Sequence, residues 1–388
     1  MAISPFRIEV SDDVISDLRE RLQRTRWPDQ IPSTGWDYGT DMAYLKELVA
    51  YWLDGFDWRK QEAVLNELPQ FKTQVDGVDL HFIHVRGKGR NPAPLLISHG
   101  WPGSFFEMHK VIGPLSDPRA HGGDAADAFD VVVPSLPGYG FSGPTRERGV
   151  GPARIAGLLQ QLLTETLGYS RFGAQGGDWG SIITTSLARM FPESMLGIHI
   201  NMLSGRLPQQ APQTDEEKAL AERGATFIQE ETGYQRIQGT KPQTLAYGLN
   251  DSPVGLAAWI VEKWRTWSDC GGDIERRFTK DEILTNVMIY WVTGTINSSM
   301  RLYYESGHAS TGPGQATTRP ATPAGARSEV PTAVADFPGE IYRASRRQAE
   351  SSYNIVQWTT MPRGGHFAAM EEPELLVEDI RRFFRLLR

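Results

Sequence analysis

Ala174-Gln175-Gly176-Gly177-Asp178-Trp179-Gly180-Ser181 is the stretch that decides how this chain is read. Small residues on both sides of Asp178 let a strand turn sharply into a helix and present the middle side chain at the bend, the shape of a nucleophile elbow. Such turns usually carry Ser at that point, and here the residue is Asp. Gly176, Gly177 and Gly180 remove the side chains that would block the turn. Residues 172–175 read as the end of a strand, and residues 181–190 (SIITTSLARM) continue with helical spacing. A G-x-D-x-G pentapeptide by itself also fits an ordinary turn or a helix N-cap. Three distant features favour the catalytic reading: His99-Gly100-Trp101-Pro102, Gly364-Gly365-His366-Phe367, and a pair of tyrosines between them.

Outward from the elbow, strands and helices alternate. Phe71, Val75, Val78, Leu80 and Phe82 alternate around the hairpin signal Asp76-Gly77. Residues 94–98 (PLLIS) and 129–134 (FDVVVP) are buried-type strands, and residues 152–167 form a helix with Ile155, Leu158, Leu159 and Leu162 on one face. One more strand follows at 197–202, strands return at 330–335 and 356–361, and 372–387 is a closing amphipathic helix. This order predicts a mostly parallel α/β sheet flanked by helices. Two helical additions interrupt it. Val14, Leu18 and Leu22, behind Ser11, Asp12 and Asp13 as a cap, give a helix over 11–26; after a Pro-rich passage at 27–36, helices over 41–53 and 58–67 complete an N-terminal arm. Between residues 214 and 306 three long helical segments run without a strand, and 308–328 (HASTGPGQATTRPATPAGARS) reads as a linker. The expected division is an arm at 1–72, a core at 73–205 and 323–388, and a helical cap with linker at 206–322.

Composition narrows the function. A net charge of −7 argues against nucleic acid, which needs clustered Lys and Arg, and favours a protein acting on a small molecule. The single cysteine, Cys270, makes no internal disulfide and reads as a packed thiol. The N-terminal residues lack the basic start and apolar core of a signal peptide, and no uncharged run has the length of a bilayer span. The expectation is a cytoplasmic protein with no membrane anchor.

The chemistry follows from the order of the motifs. In an α/β hydrolase the nucleophile comes first on its elbow, then an acid, then a histidine base on later loops at the same sheet edge. Asp178 followed by His366, in a Gly-Gly turn before the terminal helix, fits. His99-Gly100-Trp101-Pro102 follows the strand PLLIS, where half of an oxyanion hole is expected; the backbone N–H groups of Trp101 and Trp179 are its two donors. An Asp attacking an sp3 carbon makes an alkyl ester that water can cleave, whereas Ser would leave an ether. The substrate therefore carries an electrophilic alkyl carbon, an epoxide or a halide, and the scheme uses neither metal nor cofactor.

The chain resembles the microsomal-type epoxide hydrolases of the α/β hydrolase superfamily. The motifs that carry the likeness are HGWPGS (99–104), LPGYGFS (136–142), GGDWG (176–180), NDSPVGLAAW (250–259) and RGGHFAAMEEPELL (363–376), together with the helical arm, so that it covers nearly the whole chain. By position, the resemblance implies Asp178 as nucleophile, His366 as base and Glu340 as the acid orienting His366, with Asp336 as the competing acid. It implies Tyr234 and Tyr303, with Tyr304 adjacent, as the hydroxyls that hold and protonate the epoxide oxygen. An epoxide leaves as an alkoxide of high proton affinity, which suits donation from phenols. The family's roles run from detoxification to natural-product biosynthesis on bulky or aryl epoxides. Cap aromatics (Trp259, Trp264, Trp267, Tyr290, Trp291) are candidates for an apolar pocket or for core packing. A haloalkane-type dehalogenase, cradling halide with the Trp101 and Trp179 indoles, is the alternative enzyme; a silent ligand-binding protein on the same fold is the alternative class. A homodimer is the expected assembly.

Overall fold

The turn at Asp76-Gly77 closes a hairpin between Gln70–Val75 (the second strand, β2) and Val78–Val85 (β3). A computed structural model describes residues 2–203, 211–308 and 327–387. Its sheet begins with Ser4–Phe6 (β1) and continues through Ala93–Ser98 (β4), Phe129–Pro134 (β5), Phe172–Gly176 (β6), Met195–Ile200 (β7), Ser328–Asp336 (β8) and Tyr353–Thr360 (β9). The spatial order is β1-β2-β3-β5-β4-β6-β7-β8-β9. Pairings from β1 to β5 through β3 are antiparallel, and those from β5 through β9 are parallel. All residues of β5 and β6 are buried, as are Leu95–Ser98 of β4. Helices cover both faces of such strands, which therefore read as apolar runs without alternation.

The register brings the strand ends level. Ser98 lies opposite Gly176, Gly176 opposite Ile200, and Ile200 opposite Val334. The chain leaving β4, β6, β8 and β9 therefore emerges at one edge, where ligands of open α/β sheets bind. Every candidate site residue of the core lies on one of those exits.

The arm contains Asp12–Gln23 (α1), Met42–Asp54 (α2) and Trp58–Leu65 (α3). Asp41 and Asp57 cap the last two through their side chains. The arm is not wholly helical: β1 lies within it and becomes the edge of the sheet, a short strand with no alternation long enough to read. Its helices clasp the cap. Arg21 donates to Asp251, Thr40 Oγ1 to the Ala258 carbonyl at 2.7 Å, and Tyr51 Oη to Asp281 at 2.8 Å.

Around the sheet lie His109–Ser116 (α4), Pro152–Gln161 (α5) and the elbow helix Asp178–Met190 (α6). The cap holds Asp215–Glu231 (α7), Gly233–Thr240 (α8), Pro242–Asp251 (α9), Pro253–Trp267 (α10), Lys280–Thr293 (α11) and Ile296–His308 (α12). The expected three long segments are thus divided into shorter helices. Pro242 and Pro253 each occupy a first turn, where proline is tolerated but cannot continue a preceding helix, and Gly294 ends α11 in the left-handed conformation. The chain closes with Arg346–Glu350 (α13), Ala368–Glu371 (α14) and Pro373–Arg385 (α15). Two further boundaries shift: α6 starts at Asp178 itself, and α5 ends at Gln161, with a π-helical turn over Leu162–Thr166. Most of the expected linker, 309–326, lies outside the described residues. Among the described residues no helix is long and apolar enough to cross a membrane.

Candidate active site

Asp178 begins α6 with φ at +47°, a left-handed conformation costing a non-glycine residue about 1–3 kcal/mol. Close packing holds it there. A Cβ on Gly180 would stand 2.0 Å from the Ser98 carbonyl oxygen, and one on Gly176 would stand 2.3 Å from the Gly180 backbone. The helix can therefore press against β4 and hold the Asp178 carboxylate over the exit of that strand. There the Trp101 N–H donates to Asp178 Oδ1 at 2.8 Å. The second expected donor, the N–H of Trp179, belongs to the first turn of α6, whose N–H groups have no partner within the helix. Among the described residues it is Trp101 that reaches the carboxylate.

His99 fixes this loop and does not titrate usefully. The Leu136 N–H donates to its Nε2 at 3.1 Å, so its Nδ1–H donates to the Gly100 carbonyl at 3.0 Å. Burial pushes the imidazole down to about 4, which keeps it neutral.

His366 stands between two carboxylates. Its Nδ1 is 2.8 Å from Glu340 Oε1, and its Nε2 is 3.6 Å from Asp178 Oδ2. Burial opposes charge on the ring, but the carboxylates of Glu340 and Asp178 outweigh it and raise the imidazole well above its ordinary range. Asp336 is engaged elsewhere, in a bidentate pair with Arg343 at 2.7 Å to each oxygen. Loop and cap hold the pair in place: Gly339 N–H donates to the Gly364 carbonyl at 2.9 Å, His366 N–H to the Trp267 carbonyl at 3.0 Å, and Arg223 of α7 to the Glu340 carbonyl at 2.9 Å.

The two cap tyrosines roof this group. The Tyr234 ring stacks on Trp101, with centroids 5.1 Å apart and planes at 7°. Tyr303 meets Trp179 edge-on at 4.8 Å and Tyr234 at 5.8 Å. Burial, reinforced by the nearby Asp178 charge, raises both phenols well above their ordinary range, so both keep their protons. Tyr304 turns away and stacks on His308 at 4.0 Å. The cap reaches the core here through Asn286, which donates to the Pro102 carbonyl at 2.8 Å, and Tyr290, which donates to the Gly103 carbonyl at 2.6 Å.

Of the cap aromatics, Trp267 reaches the site, edge-on to His366 at 5.1 Å. Trp264 and Tyr290 are fully buried as packing residues, Trp259 donates to Gln238 and Trp291 lies under Arg21. Glu107 was missed in the sequence. It is buried against Asp178 and His366, and burial pushes its carboxyl up to about 8. A lone acid between Phe106 and Met108, in an apolar run just after the His99 motif, was the available signal. Among the described residues no cluster of His, Cys, Asp and Glu could hold a metal ion.

Comparison with known proteins gives the family. Residues 3–108 match the model of the epoxide hydrolase N terminus, and residues 93–222 that of the alpha/beta hydrolase fold. Epoxide hydrolase 1 of Sus scrofa is 41% identical over 413 residues, covering 100% of this chain and 89% of the relative. The chain belongs to the epoxide hydrolases. Solved structures match the fold of this epoxide hydrolase over its whole length. Juvenile hormone epoxide hydrolase of Bombyx mori is 32% identical, with a TM-score of 0.83 over 100% of this chain and 94% of that one. The Aspergillus niger epoxide hydrolase is 29% identical, with a TM-score of 0.87 over 100% and 97%.

Proposed function

We propose that this epoxide hydrolase converts an epoxide to a vicinal diol through an alkyl ester on Asp178. The observation that carries the reading is the placement of His366 between Glu340 and Asp178, under two protonated tyrosines. Oδ1 of Asp178 is held by the Trp101 N–H, which leaves Oδ2 as the attacking oxygen and makes Oδ1 the carbonyl of the ester. As Oδ2 opens the ring, Tyr234 and Tyr303 hold the departing oxygen and one of them gives it a proton.

Esterification then removes the Asp178 charge. That charge is one of the influences holding the His366 proton, so its loss lowers the imidazole's proton affinity when a base is needed. The imidazolium first returns a proton to the phenolate left by the tyrosine; neutral His366 then takes a proton from water, the water oxygen adds to the ester carbon, and the Trp101 and Trp179 N–H groups stabilise the tetrahedral oxyanion. Collapse expels the diol oxygen, which recovers the proton from His366. Glu340 keeps Nδ1–H oriented and supports the imidazolium.

The tyrosine pair separates this reading from a dehalogenase, since a departing halide needs no proton. Incubation with styrene oxide and with chloroalkanes tests it: diol without chloride release is expected, and chloride release without diol overturns it. The same reading takes the division into an arm (1–72), a core (73–205 and 323–388) and a cap with linker (206–322), and cofactor-independent turnover of bulky or aryl epoxides by a cytoplasmic homodimer. Cell fractionation and sizing in solution test location and assembly.

A further inference from the structure

A small cavity with both polar and apolar walls lies at the inner side of the nucleophile. His99, Glu107, Gln175, Asp178, Asn201 and His366 form its polar wall, Met108 and Leu376 lie on the apolar side, and its volume is about 10 Å³. That is room for about one water, which also needs two to four polar partners. The walls supply them. Gln175 donates through its amide nitrogen to Asn201 Oδ1 at 2.8 Å, while its own carbonyl oxygen is buried with no partner among the described residues. Glu107 folds back over Gly103, so that a Cβ there would meet Glu107 Oε1 at 1.3 Å; a side chain at that position would exclude the carboxyl.

We infer that this cavity is the seat of the hydrolytic water, and that the carboxyl of Glu107 and the Gln175 carbonyl position that water for attack on the Asp178 ester. The inference rests on the alkyl-ester reading above. A water attacking the ester carbon gives one proton to His366 Nε2; its other O–H needs an acceptor while the new C–O bond forms. The Gln175 Oε1 and the carbonyl oxygen of Glu107 are the acceptors on the wall. A neutral Glu107 serves this purpose without a second negative charge beside the forming oxyanion, and its high proton affinity agrees with that role. Atoms balance: the water oxygen stays on Asp178, one proton passes through His366 to the diol, and the other remains on the new carboxyl until His366 accepts it again.

The test separates the two half-reactions in single-turnover mixing of enzyme with styrene oxide, following the alkyl adduct by intact-protein mass. Glu107→Leu should form the adduct at the wild-type rate and hydrolyse it about tenfold or more slowly. Glu107→Gln, neutral and of the same length, should restore hydrolysis to within about threefold of wild type, which general loss of packing would not allow. Gln175→Leu should also slow hydrolysis and carries the test if Glu107→Leu does not fold. Wild-type hydrolysis in either folded leucine variant overturns the inference, as does a Glu107→Gln variant as slow as Glu107→Leu, which would require the charged carboxylate. Absence of adduct in every protein, wild type included, overturns the alkyl-ester reading itself.

Discussion

Replacing Glu340 by Gln removes a charge and almost no volume. The carboxyl is 1% exposed and touches the imidazole through a single contact, Oε1 to His366 Nδ1 at 2.8 Å; the same oxygen accepts the Ile341 N–H at 2.6 Å. A glutamine carbonyl can keep both bonds, so the loss is the charge-assisted part of the interaction, the difference between a charged and a neutral hydrogen bond, about 1–1.5 kcal/mol. At 1.36 kcal/mol per tenfold, hydrolysis of the alkyl-enzyme should slow about 5- to 13-fold. Alkylation makes no use of an imidazole base and should keep its rate. In steady state kcat and KM should fall together, leaving kcat/KM near wild type, and rapid-quench mass analysis should show the adduct accumulating. Asp336→Asn serves as control: it breaks the pair with Arg343 but leaves the imidazole contact, so hydrolysis should change little. The reverse ranking, a normal Glu340→Gln and an adduct trapped by Asp336→Asn, would refute the assignment.

Tyr234→Phe and Tyr303→Phe should each slow adduct formation about tenfold to a hundredfold, since each removes one donor to the departing oxygen; the double variant should be nearly inert. Tyr304→Phe, stacked on His308, should react normally, and a large loss there would move the role to Tyr304. The pH dependence carries its own sign. Asp178 helps to hold the His366 proton in the free enzyme and loses its charge in the ester, so the apparent pKa of adduct hydrolysis should lie below the His366 pKa measured by NMR in the free enzyme. Equal values, or a higher one for hydrolysis, would exclude the coupling.

Much of the site was legible because the chemistry sits at turns that only certain residues permit. The glycines around Asp178 and the Gly364-Gly365 turn before His366 mark strand exits, and chain order then assigns base and nucleophile. Choosing Glu340 over Asp336 required the loop after β8, where Arg343 captures Asp336, a contact with no periodic signature. The cap was legible as helical but not in its full segmentation, because some of its helices are separated by as little as one residue, Thr232, or two, Gly294-Thr295. Prolines at 242 and 253 were the available breaks. Glu107 escaped notice because burial of an acid depends on what folds over it, here Gly103 and the elbow.

The most direct test of the central claim is the origin of the diol oxygen in one turnover. With enzyme in excess over epoxide in oxygen-18 water, the oxygen added to the substrate should come from Asp178, so the first diol is unlabelled and the label appears in the peptide containing Asp178. His366→Gln should leave that peptide as the alkyl adduct, because ring opening needs the carboxylate and ester hydrolysis needs the base. Oxygen-18 in the first diol, with no adduct on Asp178 in the His366 variant, would mean that water attacks the epoxide directly and would contradict a covalent role for Asp178.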